Sequence, residues 1–508
     1  MTRTAARYDA LPALSDPLVV PLSTRAYNRQ YASLYDYRLR RLKHPKGRLL
    51  AKAQAKWAAS SSFSAASSQK GSGNSKKREI KEEEEERADA LYVKRILDVK
   101  QGQVVFVIGT VYVSMQLKPD VLEDLTREQY LPPQPVADRY ADPASDEVYV
   151  EDESGRVRLV GDAVGAEGRL RSMLITGVVV ALLGTETRSG DFEVADAIFA
   201  GVPEETEEAK QSKMEVDEVK EDQWVAMVSG LEIDAMPSGS QNQESNLTDS
   251  QGDDLNMFGT SEKELRLTML SEWLQGEVGS PEDREMASKV TSLVIAGNSI
   301  SMPLRADEEI KSQPRTPIQP GHYPTLTLDN ILADVASTMH IHLLPGASDP
   351  TSIALPQQPI HFALLPKTNR FDSLHRETNP AWFGVGGKKF MGTSGQNVDD
   401  IYKYAIEEDN EARLRCACRT LDWGHVAPTA PDTLACYPLA DRDPFLIEDC
   451  PDIYFVGNQP MFGSKIYQGS NGRRILVVLL PRFSTTGQLV LVQPHTLQCK
   501  IITLGIVS

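Results

Sequence analysis

A glycine turn closes an apolar strand at Phe455-Val456-Gly457-Asn458-Gln459-Pro460, near the end of the chain. The same pattern, an apolar strand that breaks into a glycine turn, occurs three more times upstream. The earlier turns are Val228-Ser229-Gly230-Leu231-Glu232, Ile295-Ala296-Gly297-Asn298 and Leu344-Pro345-Gly346-Ala347-Ser348-Asp349. Helical spacing at 262–274 and 326–338 lies among these strands, and alternating strands and helices imply a layered sheet. We therefore expect an α/β domain over residues 224–508, with its turns at the strand ends.

The segment at 91–202 has a different pattern, in which strands follow one another with little helical spacing. Strands are predicted at 103–112, 147–153, 156–160, 172–183 and 191–199. About five strands in this length suit a small closed barrel, of which the oligonucleotide-binding (OB) barrel is the commonest soluble example. The predicted fold class is thus multidomain, α/β plus β, with an OB-type barrel joined to the α/β domain.

Length and charge predict several folded units with polar connections. The chain has 508 residues, of which 41% are hydrophobic, and a net charge of −17. A single core stops growing at roughly 250–300 residues, so the chain must divide. We predict a basic helical arm at 1–57, a low-complexity linker at 58–90, an acidic linker at 203–223 and a polar insertion near 237–256. An acidic body opposes broad binding to nucleic acid, so DNA contact is expected to be weak or indirect.

The basic arm carries an amphipathic pattern that begins at Ser23, a residue type that commonly caps a helix. Apolar residues with helical spacing follow, and arginines stand among them. The apolar positions are Tyr27, Tyr31, Leu34, Tyr35 and Leu42, and the arginines are Arg29, Arg38, Arg40 and Arg41. Two interpretations stay open for these cations. They contact DNA phosphates, or they form the solvated face of a helix docked on the body, which is the commoner case.

Cysteine usage and hydropathy predict an intracellular location. The five cysteines are an odd number crowded into the last quarter of the chain, which is a poor disulfide framework. The longest apolar stretch, at 173–183, is shorter than the roughly 20 residues of a membrane helix, and no signal sequence opens the chain. The basic cluster Lys76-Lys77-Arg78 is compatible with nuclear import, although so short a cluster is weakly specific.

Two side-chain pairs have the residue types of metal ligands. Cys416 and Cys418 lie on a predicted helix, where their side chains point about 200° apart, so ordinary buried cysteines are expected. His340 and His342 lie on one face of a predicted strand, but two histidines alone do not complete a site. The sequence has no Walker loop, dinucleotide-binding glycine loop or serine-nucleophile elbow, which excludes most common enzymes. We therefore expect no cofactor and no metal.

The four glycine turns resemble the ligand motifs of the calcineurin-like metallophosphoesterases, which run Asp-x-His, Gly-Asp, Gly-Asn-His-Asp and Gly-His-x-His at strand ends. The order is kept, but most ligand positions hold other residues. The corresponding positions are Gly230, Glu232, Asn298, Ala347, Ser348, Asp349, Asn458 and Pro460, of which Asp349 keeps the family residue. The resemblance implies a two-sheet phosphoesterase-like fold that is inactive. No residue is expected to be catalytic, because these positions cannot assemble a two-metal centre.

Longer strings narrow the family further. They are Leu355-Pro356-Gln357-Gln358-Pro359, Phe390-Met391-Gly392-Thr393-Ser394-Gly395-Gln396-Asn397-Val398 and Pro428-Thr429-Ala430-Pro431-Asp432-Thr433-Leu434. With these strings the chain resembles the small accessory subunits of replicative DNA polymerases, in their polymerase delta branch, from about residue 21 onward. The prolines, glycines and amides of the strings either hold irregular backbone in place or form a partner surface, and both interpretations stay open.

This resemblance implies a nuclear, non-catalytic scaffold in DNA replication and repair. The partners it implies are the C-terminal domain of the DNA polymerase delta catalytic subunit, a third polymerase delta subunit and the related polymerase zeta catalytic subunit. It does not say which surface binds them. Two other classes stay open: an active metal-dependent phosphodiesterase or nuclease, and an autonomous single-strand-binding barrel. The barrel offers Phe106, Tyr112 and Tyr149 for base stacking, but its many acidic residues oppose that function.

Overall fold

A computed structural model of the chain describes residues 7–45, 47–57, 90–119, 138–204, 223–234, 262–301, 322–469 and 472–505. The predicted linkers at 58–90 and 203–223 and the predicted insertion near 237–256 lie almost wholly outside the described residues. Within the described ranges, no helix is both long enough and apolar enough to cross a membrane.

The N-terminal part comprises β1 (Tyr8–Asp9), α1 (Pro12–Ser15), α2 (Ala32–Lys43) and α3 (Arg48–Trp57). The helix predicted from Ser23 is wrong in its start, since α2 begins only at Ala32. The Ala26 amide donates a hydrogen bond to the Tyr437 hydroxyl, and the Tyr31 hydroxyl donates to the Cys436 carbonyl at 2.9 Å. These distant contacts hold the preceding chain against the body, so tertiary hydrogen bonding overrides the helical spacing there.

The next part is a closed barrel. Its strands are β2 (Leu91–Tyr92), β3 (Val105–Ser114), β4 (Glu147–Glu151), β5 (Arg156–Val160), β6 (Val179–Glu186) and β7 (Phe192–Phe199). The pairing order is β3-β4-β5-β7-β6, and β6 pairs back with β3, which closes the barrel; β2 lies outside it, parallel to β3. Val107, Val150 and Leu182 fill its interior, while Trp57 of α3 packs on Phe106 outside. This topology is that of an OB fold, as predicted.

The strand predicted at 172–183 is wrong over its first half. Residues Arg171–Met173 form a 3-10 turn, and β6 begins only at Val179. Gly177 has a φ of +90°, a value that interrupts an extended strand. Its amide donates to the Val111 carbonyl at 2.9 Å, which brings the chain into register with the barrel.

Two six-stranded sheets form the α/β domain. Sheet I contains β8 (Trp224–Val228), β9 (Val290–Ala296), β10 (His340–Leu344), β11 (Leu374–Arg376), β17 (Gln488–Gln493) and β18 (Gln498–Thr503), in the order β11-β10-β9-β8-β17-β18. Sheet II contains β12 (Ala381–Val385), β13 (Lys388–Thr393), β14 (Ile453–Gln459), β15 (Gly463–Gln468), β16 (Arg474–Pro481) and β1, in the order β1-β12-β13-β14-β16-β15. The neighbours β8, β9 and β10 are parallel, and so are β13, β14 and β16.

Helices cover the outer faces of both sheets. Sheet I carries α4 (Glu262–Gln275), α5 (Pro281–Lys289) and α6 (His322–Ala336), whereas sheet II carries α7 (Gln396–Lys403) and α8 (Ala412–Trp423). A short helix, α9 (Phe483–Thr486), follows β16. The domain is thus a four-layer α/β/β/α sandwich.

Strand β14 is buried on both of its faces. Side chains alternate across a strand, so Phe455 points into the core between the two sheets. Tyr454 and Val456 point the other way, into the core beneath α8. Because both faces of the strand are buried, seven consecutive buried residues are needed, and they end at Gln459.

Candidate functional site

The carboxyl ends of the parallel strands in the two sheets meet at one end of the sandwich. The Gly230 amide donates to the Gly297 carbonyl at 2.9 Å, which joins the turns after β8 and β9. The Asn458 side-chain amide donates to the Ala296 carbonyl at 3.1 Å and the Ser394 carbonyl at 2.8 Å, which joins the two sheets. The four glycine turns therefore lie together. We call them the strand-end cluster, which comprises residues 228–232, 295–298, 344–349 and 455–460.

Backbone geometry explains several residue types in the strand-end cluster. Glu232, Asn298 and Asn458 have φ angles of 49°, 53° and 56°, in a left-handed region that Asn adopts more readily than most residues. A Cβ atom on Gly346 would lie 2.3 Å from the Asn298 side-chain oxygen, and one on Gly230 would lie 2.9 Å from that of Asn458. Glycines and amides therefore suit these turns for reasons of conformation and space.

The carboxylate of Asp349 is directed at backbone amides of two neighbouring turns. Its two oxygens accept hydrogen bonds from the amides of Ile300 at 3.0 Å and Gly346 at 2.8 Å. Burial raises the pKa of Asp349 to about 6, although these backbone amides oppose the shift. The one position that keeps the residue of the resembled family thus holds two turns together.

At the other predicted positions, the side chains either make hydrogen bonds within the protein or carry no atom that could bind a metal. Glu232 accepts a hydrogen bond from the Ser484 hydroxyl at 2.7 Å. The Ser348 hydroxyl donates to the Ile300 carbonyl. Ala347 and Pro460 are exposed and carry no polar side-chain atom.

The chemistry available to the strand-end cluster follows from its donor set. Across the residues that the structure describes, no group of three or more His, Cys, Asp or Glu side chains is placed to hold a metal ion. A hydrolytic two-metal site needs several anionic or imidazole ligands to hold the metals and lower the pKa of water. Amides and one backbone-bound carboxylate can instead satisfy buried peptide groups, which is a structural role.

A further layer of amides supports the cluster. Asn379 donates to Gln357 at 2.8 Å and to the Ser394 hydroxyl at 2.7 Å, and Gln396 donates to Gln357 at 2.9 Å. Gln357 in turn donates to the Gly346 carbonyl at 3.1 Å. The quoted strings that contain Gln357 and Gln396 therefore hold irregular backbone, whichever partners they also contact. Sequence reasoning missed Asn379, which stands in no recognised pattern.

Comparisons with known proteins agree on both folded parts. Residues 30–197 match the family model "DNA polymerase delta subunit OB-fold domain", and residues 256–464 match the family model of the B subunits of DNA polymerases alpha and epsilon. The "DNA polymerase delta small subunit" of Arabidopsis thaliana is 35% identical over 415 residues, which cover 81% of this chain and 84% of that relative. The chain belongs to the DNA polymerase delta small-subunit family.

Other relatives of the delta small-subunit family extend the match. The "DNA polymerase delta small subunit" of Saccharomyces cerevisiae is 29% identical over an alignment of 535 positions, gaps included, which covers 99% of this chain and 95% of the relative. "DNA polymerase delta subunit 2" of Drosophila melanogaster is 32% identical over 418 residues, 82% and 86% of the two chains. These matches confirm the family that the longer strings indicated. The chain is accordingly an accessory subunit of a DNA polymerase and a protein of DNA replication.

The chain has a second buried polar site, where arm, barrel and α/β domain meet. Arg38 of α2 is 1% exposed and donates to Asp443 at 2.7 Å. It also donates to the carbonyls of Gly177, which precedes β6, and Pro428, both at 2.9 Å. We call this site the Arg38 junction; its members are Arg38, Gly177, His425, Pro428, Ala430 and Asp443. Arg38 is buried, so for this residue neither a DNA contact nor a solvated position applies, although α2 itself is docked on the body.

The charges of the Arg38 junction are fixed by their surroundings. Burial alone would raise the pKa of Asp443, but Arg38 and His425 hold it well below its ordinary value. Burial lowers the pKa of His425 to about 4, and Arg38 contributes in the same direction. With this pKa, His425 is neutral near pH 7. Its Nε2 lies 2.9 Å from the Asp443 carboxylate. The junction therefore contains one buried ion pair with a neutral imidazole beside it.

The barrel offers a poorer platform for stacking single-stranded bases than its sequence suggested. Phe106 is buried, so it cannot stack on a base. Tyr112 is covered by Arg156, whose guanidinium lies 4.0 Å from the ring centre. Arg156 is also paired with Glu151 at 2.6 Å, which offsets its charge toward phosphate.

The predicted histidine and cysteine pairs have partners or burial of their own. His340 and His375 share a hydrogen bond at 3.0 Å, and His342 lies 3.0 Å from Glu377. The neighbouring strand thus supplies partners to both histidines. Cys416 and Cys418 are buried in α8 and are free, as expected for ordinary buried cysteines.

Proposed function

We propose that this chain is a non-catalytic scaffold of the DNA polymerase delta holoenzyme in nuclear DNA replication and repair. It binds the C-terminal domain of the catalytic subunit and bridges to a third subunit, and it serves the polymerase zeta catalytic subunit in the same way. Its contact with DNA is weak or indirect. The observation that carries this proposal is the strand-end cluster, where hydrogen-bonded amides and glycines occupy the positions of metal ligands.

The α/β domain is, in this proposal, a calcineurin-like phosphoesterase fold that has lost its activity. Two facing sheets, helices on both outer faces and turns at the carboxyl ends of parallel strands support the likeness. The Asn458 amide donates to carbonyls of both sheets, at a position where the resembled family has a metal-binding histidine. A side chain that already bonds two backbone groups serves cohesion of the fold.

The Arg38 junction supports a scaffold role from a second direction. One cation bonds the α/β domain at Pro428, Ala430 and Asp443 and the barrel at Gly177. A subunit that holds two others in fixed relation needs its own domains fixed, since a mobile junction would cost ordering entropy on binding.

The test is co-expression of the full chain with the C-terminal domain of a polymerase delta catalytic subunit, followed by gel filtration. We expect a stoichiometric complex. The free chain is assayed in manganese with bis(p-nitrophenyl) phosphate, and Asp349→Ala serves as the comparison. We expect the same background with both proteins. Absence of a complex, or hydrolysis that the Asp349→Ala variant loses, would overturn the proposal.

A further inference from the structure

The lateral edge of the sandwich that is formed by strands β15 and β18 is open in the described part of the chain. These two strands are the outermost strands of sheets II and I, and each pairs with one neighbour in the described part of the chain. Between them lies a groove of about 330 Å³, lined chiefly by Phe462, Ser464, Ile466, Leu497, Cys499 and Ile501. Ile501 is 41% exposed and the nearby Met461 is 46% exposed. We call this feature the edge groove.

The opposite end of the same sandwich is closed by the chain itself. There β1 adds to sheet II, with Tyr8 and Asp9 antiparallel to β12. The Tyr8 ring then crosses to sheet I and stacks on His375 of β11, with 3.9 Å between ring centres. The molecule thus shows how a short extended segment closes an open end: its backbone pairs with one sheet and its side chain contacts the other.

The charge around the edge groove is opposite to that of the whole protein. From residue 453 to 508 the sequence has five Lys and Arg and no Asp or Glu, in a chain of net charge −17. Lys465 and Arg474 lie on β15 and β16 beside the groove, and the structure gives them no ion pair among its described residues. Lys500 of β18 points away from the groove, since it alternates with Cys499 and Ile501, and its Nζ lies 4.8 Å from the centre of the Trp224 ring. Edge lysines discourage self-pairing of strands, and the same cations attract an acidic segment.

We propose that the edge groove binds an extended acidic segment of another polypeptide by strand addition to β15. Apolar side chains at alternate positions of that segment enter the groove between Ile466 and Ile501. Asp or Glu between them faces Lys465, which points to the other face of β15. Strand addition supplies backbone hydrogen bonds for affinity and side-chain pockets for specificity. This site is separate from the strand-end cluster and goes beyond the scaffold proposal, since it holds whether or not the polypeptide belongs to a polymerase.

The probe is a short fluorescein-labelled peptide in which Val and Tyr alternate with Asp and Glu. Fluorescence polarisation with the full chain measures its affinity. We expect saturable binding that weakens about tenfold, or 1.4 kcal/mol, in Lys465→Glu. Lys94→Glu on the barrel is the charge-matched control and is expected to leave the affinity unchanged. Ile501→Lys, at a half-exposed position, is expected to abolish binding, and circular dichroism establishes that each variant is folded.

Hydrogen exchange distinguishes strand addition from charge attraction. We expect the peptide to slow amide exchange within residues 463–468 and to leave β2 of the barrel unaffected. A peptide with Lys in place of Asp and Glu is expected not to bind. Weak binding that Lys465→Glu and Lys94→Glu reduce equally, without local protection, would overturn the proposal in favour of nonspecific charge attraction.

Two further measurements test whether another occupant fills the edge groove. If a second copy fills the edge groove, sedimentation shows a dimer that Ile501→Lys dissociates. If the chain's own acidic run at 82–86 fills it, replacing that run by serines strengthens peptide binding. Either result would overturn the assignment of this groove to another polypeptide.

Discussion

The strand-end cluster and the Arg38 junction are both buried polar sites built on turns, but they handle charge in opposite ways. The cluster uses mostly neutral amides, and its buried carboxylate, Asp349, receives hydrogen bonds from backbone amides. The junction keeps an ion pair between Arg38 and Asp443 at 2.7 Å. Burying a charge is costly unless it is paired and fully hydrogen-bonded. The difference teaches that this chain pairs opposite buried charges where separate parts must be joined, and relies on backbone amides and neutral side chains where turns must be held.

The comparison predicts that the largest loss of stability comes from the Arg38 junction. In Arg38→Met the Asp443 carboxylate stays buried without its cation, bonded by His425 and the Phe445 amide, and three carbonyls lose their donor. Breaking a buried ion pair costs about 3–5 kcal/mol, which should appear in the free energy of unfolding in urea. The control is Arg40→Met, which removes an exposed pair with Asp36 and should cost less than about 0.5 kcal/mol. If the two variants are equally stable, the junction does not hold the three parts together.

A smaller loss is expected from the strand-end cluster. Asn458→Ala removes two hydrogen bonds and forces a Cβ-bearing residue without a polar side chain to keep φ near 56°. We expect a cost of about 2–4 kcal/mol, measured by the same urea titration. Asn458→Gly removes the amide without backbone strain, so it should cost about 1 kcal/mol less. A glycine variant as stable as the parent would mean that the amide does not stabilise the cluster.

The two sites should also respond to acid with opposite signs. Burial lowers the pKa of His425 from 6.5 to about 4, so the unfolded state takes up the proton first and stability falls as the pH drops through that range. Burial raises the pKa of Asp349 from 3.8 to about 6, so the folded state takes up the proton first and stability rises as the pH drops.

Urea titrations between about pH 6.5 and 4.5 measure this difference. The variant His425→Gln should lose less stability on acidification than the parent protein, and Asp349→Asn should lose more. The comparison uses the slope with pH, so a constant destabilisation in either variant does not matter. Parallel curves for the three proteins would contradict the opposite signs.

The smallest effect is expected at Glu232. Its carboxylate accepts one hydrogen bond from Ser484, and Glu232→Gln keeps an oxygen for that bond. We expect a change within about 0.5 kcal/mol in the free energy of unfolding. A loss as large as that of Asn458→Ala would show that the charge of Glu232 matters and would separate it from the rest of the strand-end cluster.

The elements that could be predicted are those whose own sequence carries a strong local pattern. Strand β5 begins and ends at the predicted residues, because alternation is a strong local signal. The sequence analysis missed α5, although Ser280 and Asp283 form a capping box that encloses Pro281 at the first helical position. It also missed β11 and β15, which are short, half-exposed strands whose pairing depends on neighbours distant in sequence.

The candidate site was predictable in its placement and only partly in its contacts. Parallel strands of one sheet bring their carboxyl ends to the same edge, so the turns after β8, β9 and β10 had to meet there. The position of the fourth turn, after β14, depends on how the two sheets pack. The direction of the Asp349 oxygens depends on how two turns present their backbone amides, which residue spacing does not encode. The role of Arg38 was hidden for a similar reason, since its partner Asp443 lies 405 residues away. On helix α2 alone, Arg38 looks the same as the exposed Arg40.

That separation along the chain also governs the order of assembly during synthesis. Helix α2 leaves the ribosome early, whereas Asp443 follows only after the barrel and most of the α/β domain have been made. Until then, the guanidinium of Arg38 has no anion to accompany it into the interior, and α2 cannot take its final place. Segments that look independent in sequence are therefore completed together, and a fragment that stops before residue 443 leaves α2 without its anchor.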